Sequence, residues 1–230
     1  MAARILSLEN ARDRGYAADL IASGEVVVCA FNGIFTLLGD ADDPAVADKA
    51  AEAKQRPQAK GVALVCPPEF FGEHVVTDAT MLLRAQTLQR SLHALGVILP
   101  ASRAAPAHVV QQATILNVWT EHQPLRELVL ELRRRGRRSL AGTSANRTGE
   151  PTITDVREVT ATFGAHVPAI VVDNVDSVPP ERRHSASIID LTGARPRLVR
   201  EGSVPADELS TAVRSVGLGE LVVEPNVRRV

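Results

Sequence analysis

The sequence predicts an α/β protein in which helices flank a twisted mixed sheet. Short runs rich in Val, Ile and Leu alternate with longer segments whose apolar residues recur at helical spacing. Hydrophobic residues make up 45% of the 230 residues, which is enough for an ordinary globular core. Glycine, proline and capping residues separate the runs, as expected where helices and strands end.

Helices and strands alternate clearly in the first half of the chain. Ser23-Gly24 ends a helix before an apolar strand, and Asp43-Pro44 opens a second helix, because proline costs little in the first turn. We expect this order to place the helices on the faces of the sheet. The predicted segments, helix and strand in turn, are 11–22, 26–31, 45–54, 61–66, 80–95 and 96–99.

The second half of the chain continues the alternation. Gly136 ends its longest helix, and Thr154 is the predicted cap of a helix that ends near Phe163. We assign residues 1–204 to one domain and residues 205–230 to a tail with at most one short helix. The other predicted segments are helices at 106–112 and 125–135 and strands at 115–119, 139–141, 169–172, 187–189 and 197–199.

Composition and charge exclude several classes of protein. The formal net charge is −1 and aromatic residues make up only 3%, so the chain is not a protein that coats nucleic acid by charge or stacking alone. Cys29 and Cys66 lie in apolar strands without zinc or redox spacing, and we expect both to be buried and reduced. No long apolar run is present, which predicts a cytoplasmic location.

The segment Gly142 to Pro151 follows a predicted strand and is the most informative part of the sequence. Its glycines allow backbone N–H groups to approach a phosphate closely, and Thr143 and Ser144 add hydroxyl donors. Asn146 offers both a donor and an acceptor in one side chain. A polar turn without function is the alternative interpretation of such a loop.

The longer pattern resembles the YrdC-like, threonylcarbamoyl-AMP synthase family. Residues 144–151 match the family's signature S-A-N, a variable residue, Ser or Thr, Gly, a variable residue and Pro. Residues 54–57 are similar to its K-x-R-P segment, which also lies between a helix and a strand. Residues 185–190 resemble the family's S-T-x-V-D strand, and residues 198–202 its closing L-R-x-G. The similarity covers roughly residues 24–204.

The resemblance implies a YrdC-like fold with a concave nucleotide-binding cleft. It also implies an enzyme, a nucleotidyltransferase that condenses ATP, bicarbonate and threonine or a related amine into a carbamoyl adenylate used in tRNA modification. Catalysis then rests on positioning reactants and stabilising negative charge. ATP is the expected cosubstrate, with Mg²⁺, and tRNA or double-stranded RNA is a further candidate partner.

The resemblance also implies roles for individual side chains. Arg56 is suited to fork onto phosphate or carboxylate oxygens, and Lys54 to supply a point charge. Ser144 and Asn146 complete the predicted catalytic group and, with Thr143, hold nucleotide phosphates. Taken alone, the two cations are equally typical of a helix C-terminus, where they complement the dipole. Two further residues, in the 185–190 and 198–202 segments, complete the nucleotide site: Ser185 and Arg200.

Three departures from the family pattern concern the substrate side. The family's P-T-x-T-x-Y-G-L is replaced by residues 31–39, which lack its first threonine and its tyrosine, although Thr36 is a possible displaced remnant. Asn117 to Thr120 carries no arginine where the family has R-x-P, and Ala186 replaces a hydroxyl residue. These differences leave a second hypothesis open, a non-catalytic relative that binds nucleotide or double-stranded RNA.

Two further sequence features are a cluster of arginines and a set of histidines, and a third candidate function is carbamoyl transfer. The five arginines near Gly136 are either a solvated helix end, which we favour, or a contact for tRNA or a triphosphate. The six histidines show no paired metal spacing, so the sequence assigns no metal ligand. A carbamoyl transferase domain like those embedded in larger enzymes is a third possibility, which we disfavour because no partner domain is recognisable.

Overall fold

The computed structural model describes residues 2–56, 61–147, 150–173 and 178–229. Within these ranges it contains twelve strands and six α-helices, together with short 3-10 helices. In chain order they are β1 (Arg4–Ser7), α1 (Ala11–Ala22), β2 (Val27–Phe31), β3 (Ile34–Asp40), α2 (Val46–Ala53), β4 (Ala63–Val65), α3 (Ala79–Ser91), β5 (Leu95–Pro100), β6 (Val110–Gln111), β7 (Thr114–Trp119), α4 (Gln123–Arg134), β8 (Leu140–Ser144), α5 (Val156–Phe163), β9 (Ala169–Val172), β10 (Ser187–Asp190), β11 (Arg197–Glu201), α6 (Ala206–Ser215) and β12 (Val222–Arg229).

The chain divides into two compact units, each made of two segments. The first unit comprises Met1–Val65 and His122–Arg183, and the second comprises Cys66–Glu121 and His184–Val230. The predicted α/β class is confirmed, since helices alternate with the strands of a mixed sheet in each unit.

In the first unit the strand order is β1-β9-β2-β3-β8-β4. Strands β1 and β2 both run parallel to β9, whereas β2, β3, β8 and β4 are successively antiparallel. Strands β1, β9, β2 and β8 therefore share one direction. The loops that follow these four strands lie along one edge of the sheet, and this edge carries the signature loop.

Strands β2 and β3 are continuous apolar runs because both lie in the core of the first unit. Every residue of β2 and of β3 is buried, which is typical of strands covered on both faces. Helix α1 begins at Asn10, whose side chain accepts hydrogen bonds from the N–H groups of Arg12 and Asp13. Helix α4 presents a buried apolar stripe and packs against α1. Cys29 and Cys66 are buried and free, as expected.

In the second unit the strand order is β7-β5-β10-β11-β12, and β6 pairs with β7. Strands β5 and β10 are parallel, as are β11 and β12, while β7 with β5 and β10 with β11 are antiparallel. Helices α3 and α6 contact each other in this unit.

Several segments differ from the sequence-based expectation. Strands β1 and β3 were not predicted, and residues 106–112, predicted as a helix, form a 3-10 helix at Ala107–Val109 followed by β6. Asn32-Gly33 form a two-residue turn with φ values of 51° and 74°, and Phe31 pairs with Ile34 across it. This pair is typical of a β-hairpin turn, but the run after it shows no apolar-polar alternation, because β3 is buried on both faces.

Two corrections concern helix and tail boundaries. Helix α5 is capped by Asp155, not Thr154, because the Asp155 carboxylate accepts from the N–H groups of Arg157 and Glu158. The tail, predicted to hold at most one short helix, contains the ten-residue α6 and in addition β12, which was not predicted and which pairs with β11. The residues of β12 are mostly exposed, so backbone pairing rather than an apolar pattern forms this strand.

A buried amide network organises the second unit. Asn117 is fully buried in β7; its Oδ1 accepts from the Cys66 N–H at 3.0 Å and its Nδ2 donates to the Cys66 carbonyl at 3.1 Å. Asn117 also donates to Gln89 Oε1 at 3.2 Å, and Gln89 Nε2 donates to the Leu95 and Asn117 carbonyls. The residue at the position of the family's arginine segment therefore has a structural role.

We predict that Asn117→Ala destabilises the protein by roughly 3 kcal/mol, because it leaves the Cys66 backbone groups and Gln89 without these partners in a buried site. Urea denaturation measures the change. Gln111→Ala, on the exposed side chain of neighbouring β6, is the control and is expected to have little effect. Equal stability of Asn117→Ala and the native protein would contradict this role.

Candidate active site

The exit of α2 positions two of the predicted catalytic residues. Lys54 is the helix C-cap, and Gln55 after it has a left-handed backbone with φ 52°. The Gln55 N–H donates to the Glu52 carbonyl at 2.8 Å, and the Arg56 N–H donates to the Ala51 carbonyl at 2.9 Å. These paired bonds form a Schellman motif, which satisfies the last helix carbonyls and fixes the direction of the chain.

Lys54 is directed into the first unit. Its exposed fraction is only 7%, and its Nζ donates to Thr143 Oγ1 at 3.3 Å, across 89 residues of sequence. Lysine is rarely buried so completely without polar partners. The ammonium group is thus held against the strand that leads into the signature loop. Arg56, two residues further on, is partly exposed.

The signature loop begins where β8 ends. Pairing of β8 with β3 places Ser144 opposite Thr36 and Gly142 opposite Leu38. A Cβ on Gly142 would lie 2.6 Å from Leu38 Cδ2 and 2.9 Å from the Leu37 carbonyl oxygen, so only glycine allows the two strands to approach this closely. Thr36, the possible remnant of the missing motif, is buried beside the start of the loop.

The loop is ordered by its own polar side chains. The Ser144 hydroxyl donates to Asn146 Oδ1 at 2.5 Å, and Asn146 Nδ2 donates to the Glu150 carbonyl at 2.6 Å. The Ala145 N–H donates to the Phe35 carbonyl at 2.8 Å, which anchors the loop to β3. Ser144 and Asn146 are therefore coupled directly and remain partly exposed to solvent.

Parts of both sequence motifs lie outside the described residues, namely Pro57 of the K-x-R-P segment and Thr148 and Gly149 of the signature loop. Within the described part of the first unit, Lys54 meets Thr143, and Ser144 meets Asn146. The assignment of these residues to nucleotide phosphates stays a prediction.

The other two predicted ligands, Ser185 and Arg200, belong to the second unit. Arg200 Nε donates to the Ala186 carbonyl at 2.9 Å. Burial lowers the pKa of Arg200 to about 10, and the positive charge of Arg228 acts in the same direction. Arg200 nevertheless stays protonated at neutral pH, so it keeps the charge that a phosphate ligand needs.

Gly202 and Ser187 belong to the two family-like segments of the second unit, and each has a structural role. A Cβ on Gly202 would lie 2.0 Å from the Ser185 carbonyl oxygen, so no side chain fits there. The buried Ser187 hydroxyl accepts from the Gly202 N–H at 2.8 Å and the Val204 N–H at 3.0 Å, and it donates to the Val204 carbonyl. Both residues fix the exit of β11.

The turn that replaces the P-T-x-T-x-Y-G-L motif is a closed hairpin. Asn32 Nδ2 donates to the Arg182 carbonyl at 3.3 Å. A Cβ on Gly33 would lie 2.7 Å from Arg183 Cγ and 3.1 Å from Val178 Cβ. The segment before β10 therefore covers this turn, in the place where the family pattern has threonine and tyrosine.

The arginines near Gly136 are engaged within the protein. Arg135 pairs with Asp19 at 2.6 Å and with Glu131 at 2.8 Å, while Arg134 also pairs with Glu131. Arg137 pairs with the buried Asp40 at 3.3 Å, and Arg138 pairs with Asp42 at 2.5 Å. Arg133 donates to the Arg138 carbonyl. These contacts connect the end of α4 to α1 and β3, and they do not add to the case for an RNA contact.

Together these observations define a class of protein. It is an α/β protein with a loop of small and hydroxyl-bearing residues at the carboxyl end of a strand, next to a buried lysine. Such a loop can receive an anionic group.

Comparison with known proteins identifies the family. The Sua5/yciO/yrdC family model, described as "Telomere recombination", matches residues 19–202, and the chain belongs to this family. Threonylcarbamoyl-AMP synthase of Pyrococcus abyssi is 25% identical over 215 residues, which cover 92% of this chain and 58% of the relative. The enzyme of the same name from Enterobacter sp. (strain 638) is 29% identical over 182 residues, or 78% of this chain and 92% of the relative.

Solved structures agree on the fold. P. abyssi Sua5 complexed with L-threonine superposes with a TM-score of 0.77 at 20% identity, covering 96% of this chain and 63% of that structure. The predicted fold class, a mixed sheet flanked by helices, is therefore confirmed. The chain spans under two thirds of the archaeal relative's length. Among the described residues, no helix has the length and apolar composition required to cross a bilayer.

We predict that Gln55→Val disturbs the site whereas Gln55→Gly does not. Both variants remove the Gln55 contact to His166, but glycine adopts φ 52° freely, whereas β-branched valine fits this backbone worse than glutamine and costs about 1–2 kcal/mol relative to glycine. Thermal unfolding and ATP binding by calorimetry are the measurements, and Gln55→Val is expected to lower both. Identical behaviour of the two variants would show that the helix exit does not position Lys54 and Arg56.

We also predict a pH-dependent role for Arg137. Burial raises the pKa of Asp40 in the folded protein above its ordinary value. The folded protein therefore loses stability as pH increases through this raised pKa and the buried carboxyl group becomes ionised. Arg137 is partly exposed, so Arg137→Met should cost roughly 1 kcal/mol near neutral pH. The loss should disappear as pH falls and Asp40 becomes protonated.

Urea denaturation at several pH values measures this effect. Arg134→Met, which removes a more exposed arginine that pairs with Glu131, is the control. A loss of stability in Arg137→Met that does not change with pH would contradict the role of Asp40.

Proposed function

We propose that the protein is a synthase of the threonylcarbamoyl-AMP type. It joins ATP, bicarbonate and threonine, or a related amine, into a carbamoyl adenylate and releases pyrophosphate. The observation that carries the proposal is the buried Lys54 ammonium at 3.3 Å from the Thr143 hydroxyl, at the start of the S-A-N loop. Family membership and the names of the curated relatives support it.

The chemistry requires little covalent participation by the protein. The amine attacks the bicarbonate carbon and water leaves, which gives a carbamate. A carbamate oxygen then attacks the α-phosphorus of ATP, and the bond to the pyrophosphate oxygen breaks. Negative charge increases around the phosphorus in this step, so fixed cations and hydrogen-bond donors lower the barrier.

Each side chain has a role in this proposal. Lys54 supplies positive charge next to the loop, and Arg56 binds phosphate or carboxylate oxygens through its fork. Ser144 and Asn146 bind the nucleotide phosphates together with backbone N–H groups of the loop. Their mutual hydrogen bond of 2.5 Å holds both side chains in place before ATP arrives, which reduces the entropy lost on binding. Thr143, Ser185 and Arg200 are the further nucleotide ligands.

Magnesium enters this proposal with ATP, as the counter-ion of its phosphates. The proposed phosphate ligands Thr143, Ser144 and Asn146 offer hydroxyl and amide groups, and none of these three is assigned as a resident metal ligand. The product would pass to a tRNA-modifying step in the cytoplasm. The hairpin at Asn32-Gly33 replaces the family's threonine and tyrosine, and for this reason the proposal allows a related amine.

The alternative, a non-catalytic relative that binds nucleotide or double-stranded RNA, is not favoured. The curated relatives carry the synthase name, and the arginine cluster is engaged by the protein's own carboxylates. We therefore retain this alternative only as an outcome of the test below.

We predict threonine-stimulated release of pyrophosphate from ATP and bicarbonate, and a loss of about 100-fold or more in Lys54→Ala and Asn146→Ala. The assay measures pyrophosphate with and without threonine, and then with other small amino acids. Lys49→Ala is the matched control, because Lys49 lies in the same helix but pairs with Asp43 at 2.7 Å. It should keep activity near that of the native protein.

Two results would overturn the proposal. Pyrophosphate release that persists in both variants would place the chemistry elsewhere. Absence of release with every amino acid, together with ATP binding that the same substitutions weaken, would establish a nucleotide-binding relative.

A further inference from the structure

We propose that Glu9, His122 and Asp173 form a binding site for a divalent transition-metal cation, separate from the proposed nucleotide site. The three side chains each offer one ligand atom, and these atoms lie within 4.8 Å of one another. Among residues 2–56, 61–147, 150–173 and 178–229, no other such group of three His, Cys, Asp or Glu side chains is present. The proposal does not depend on the proposed function.

The backbone brings these residues together from three distant segments of the first unit. Glu9 follows β1 and Asp173 follows β9, and these strands are parallel, with Ser7 paired with Val172. The Leu8 N–H donates to the Val172 carbonyl at 2.7 Å, which fixes the two strand exits side by side. His122 is the N-cap residue of α4 and reaches the same place.

The distances are suitable for a metal ion. His122 Nε2 lies 3.0 Å from Asp173 Oδ2, and all three ligand atoms lie within 4.8 Å of one another. Ligand atoms bound to one ion at about 2.1 Å are separated by roughly 3.0–4.2 Å, depending on the geometry. A small rotation of the exposed Glu9 side chain is therefore enough to complete three ligands, and solvent can supply the others.

The burial of the site increases from Glu9 to Asp173. Side-chain exposure is 30% for His122 and 14% for Asp173, so the carboxylate and the imidazole are held in place by the fold. The neighbouring cation Arg14 is directed to other partners, since it donates to the Leu8 carbonyl at 2.8 Å and pairs with Glu127. Two carboxylates and one imidazole therefore converge at this place, and Arg14 is held by other groups.

The ligand types indicate which cation fits. Imidazole suits zinc, copper, iron and nickel, whereas magnesium, calcium and manganese prefer oxygen ligands. The order of affinities for divalent metals at such a mixed site places Zn²⁺ above Mn²⁺. We therefore expect a site selective for zinc, with weaker manganese binding and little magnesium binding.

The position of the site separates it from the signature loop. The strand order β9-β2-β3-β8 places three strand spacings between Asp173 and Ser144, which is roughly 14 Å across the sheet. Both sites lie along the same edge of the first unit. Glu9 lies before the region matched by the family model, whereas His122 and Asp173 lie within it. A bound cation would connect the segment before α1 to the end of β9 and the start of α4.

Calorimetric titration of the tag-free, metal-depleted protein with ZnCl₂, MnCl₂ and MgCl₂ tests the proposal, and native mass spectrometry counts the bound ions. One zinc per chain is expected. Glu9→Gln and Asp173→Asn should each weaken zinc binding by about tenfold or more, since even loss of an outer-shell partner costs that much. His93→Ala, which removes an exposed histidine of the second unit, is the matched control and should bind zinc like the native protein.

Absence of zinc binding to the native protein would overturn the proposal and leave a simple ion pair between His122 and Asp173. Zinc binding that is unchanged in both carboxylate variants would also overturn it, because the ion would then lie elsewhere. Thermal unfolding without metal identifies a variant that fails to fold. In that case Glu9→Gln decides the question, since the exposed Glu9 side chain contributes little to packing.

Discussion

The close pairing of β3 with β8 is the constraint on which the proposed active site depends. Gly142 permits it, because any side chain at this position would collide with the Leu38 side chain and the Leu37 carbonyl. The pairing fixes which residues face each other, so Thr36 lies opposite Ser144. The Phe35 carbonyl then accepts from the Ala145 N–H and holds the first part of the loop. A shift of register by one residue would reverse every side chain of β8 between the two faces.

The buried lysine adds a second constraint to the same strand. Lys54 lies at the end of α2, directly before the Schellman motif at Gln55, and its Nζ donates to Thr143 Oγ1. A charged group in such surroundings is costly unless polar groups compensate it. In the proposed function, this charge serves to bind an anionic group rather than to stabilise the fold. The charges of the arginines beyond α4 are largely balanced by carboxylates of α1, α4 and the turn after β3.

Two segments that differ from the family pattern have structural roles in this protein. The positions expected to contact the amino acid and the nucleotide carry the Asn32-Gly33 hairpin and the Asn117 amide network. Each is well satisfied by hydrogen bonds to the surrounding backbone. The loop that resembles a phosphate site is meanwhile preserved. For this reason the proposed function allows an amine substrate other than threonine.

The sequence by itself determined the α/β class, most helices and buried strands, and the S-A-N and K-x-R-P segments, because these depend on local patterns of apolarity, capping and small residues. It did not reveal β1, β3 or β12, whose formation depends on backbone pairing with distant strands. Nor did any spacing indicate that Glu9, His122 and Asp173 converge. Only the tertiary structure decided that grouping, because parallel strand exits bring together residues that are far apart in the chain.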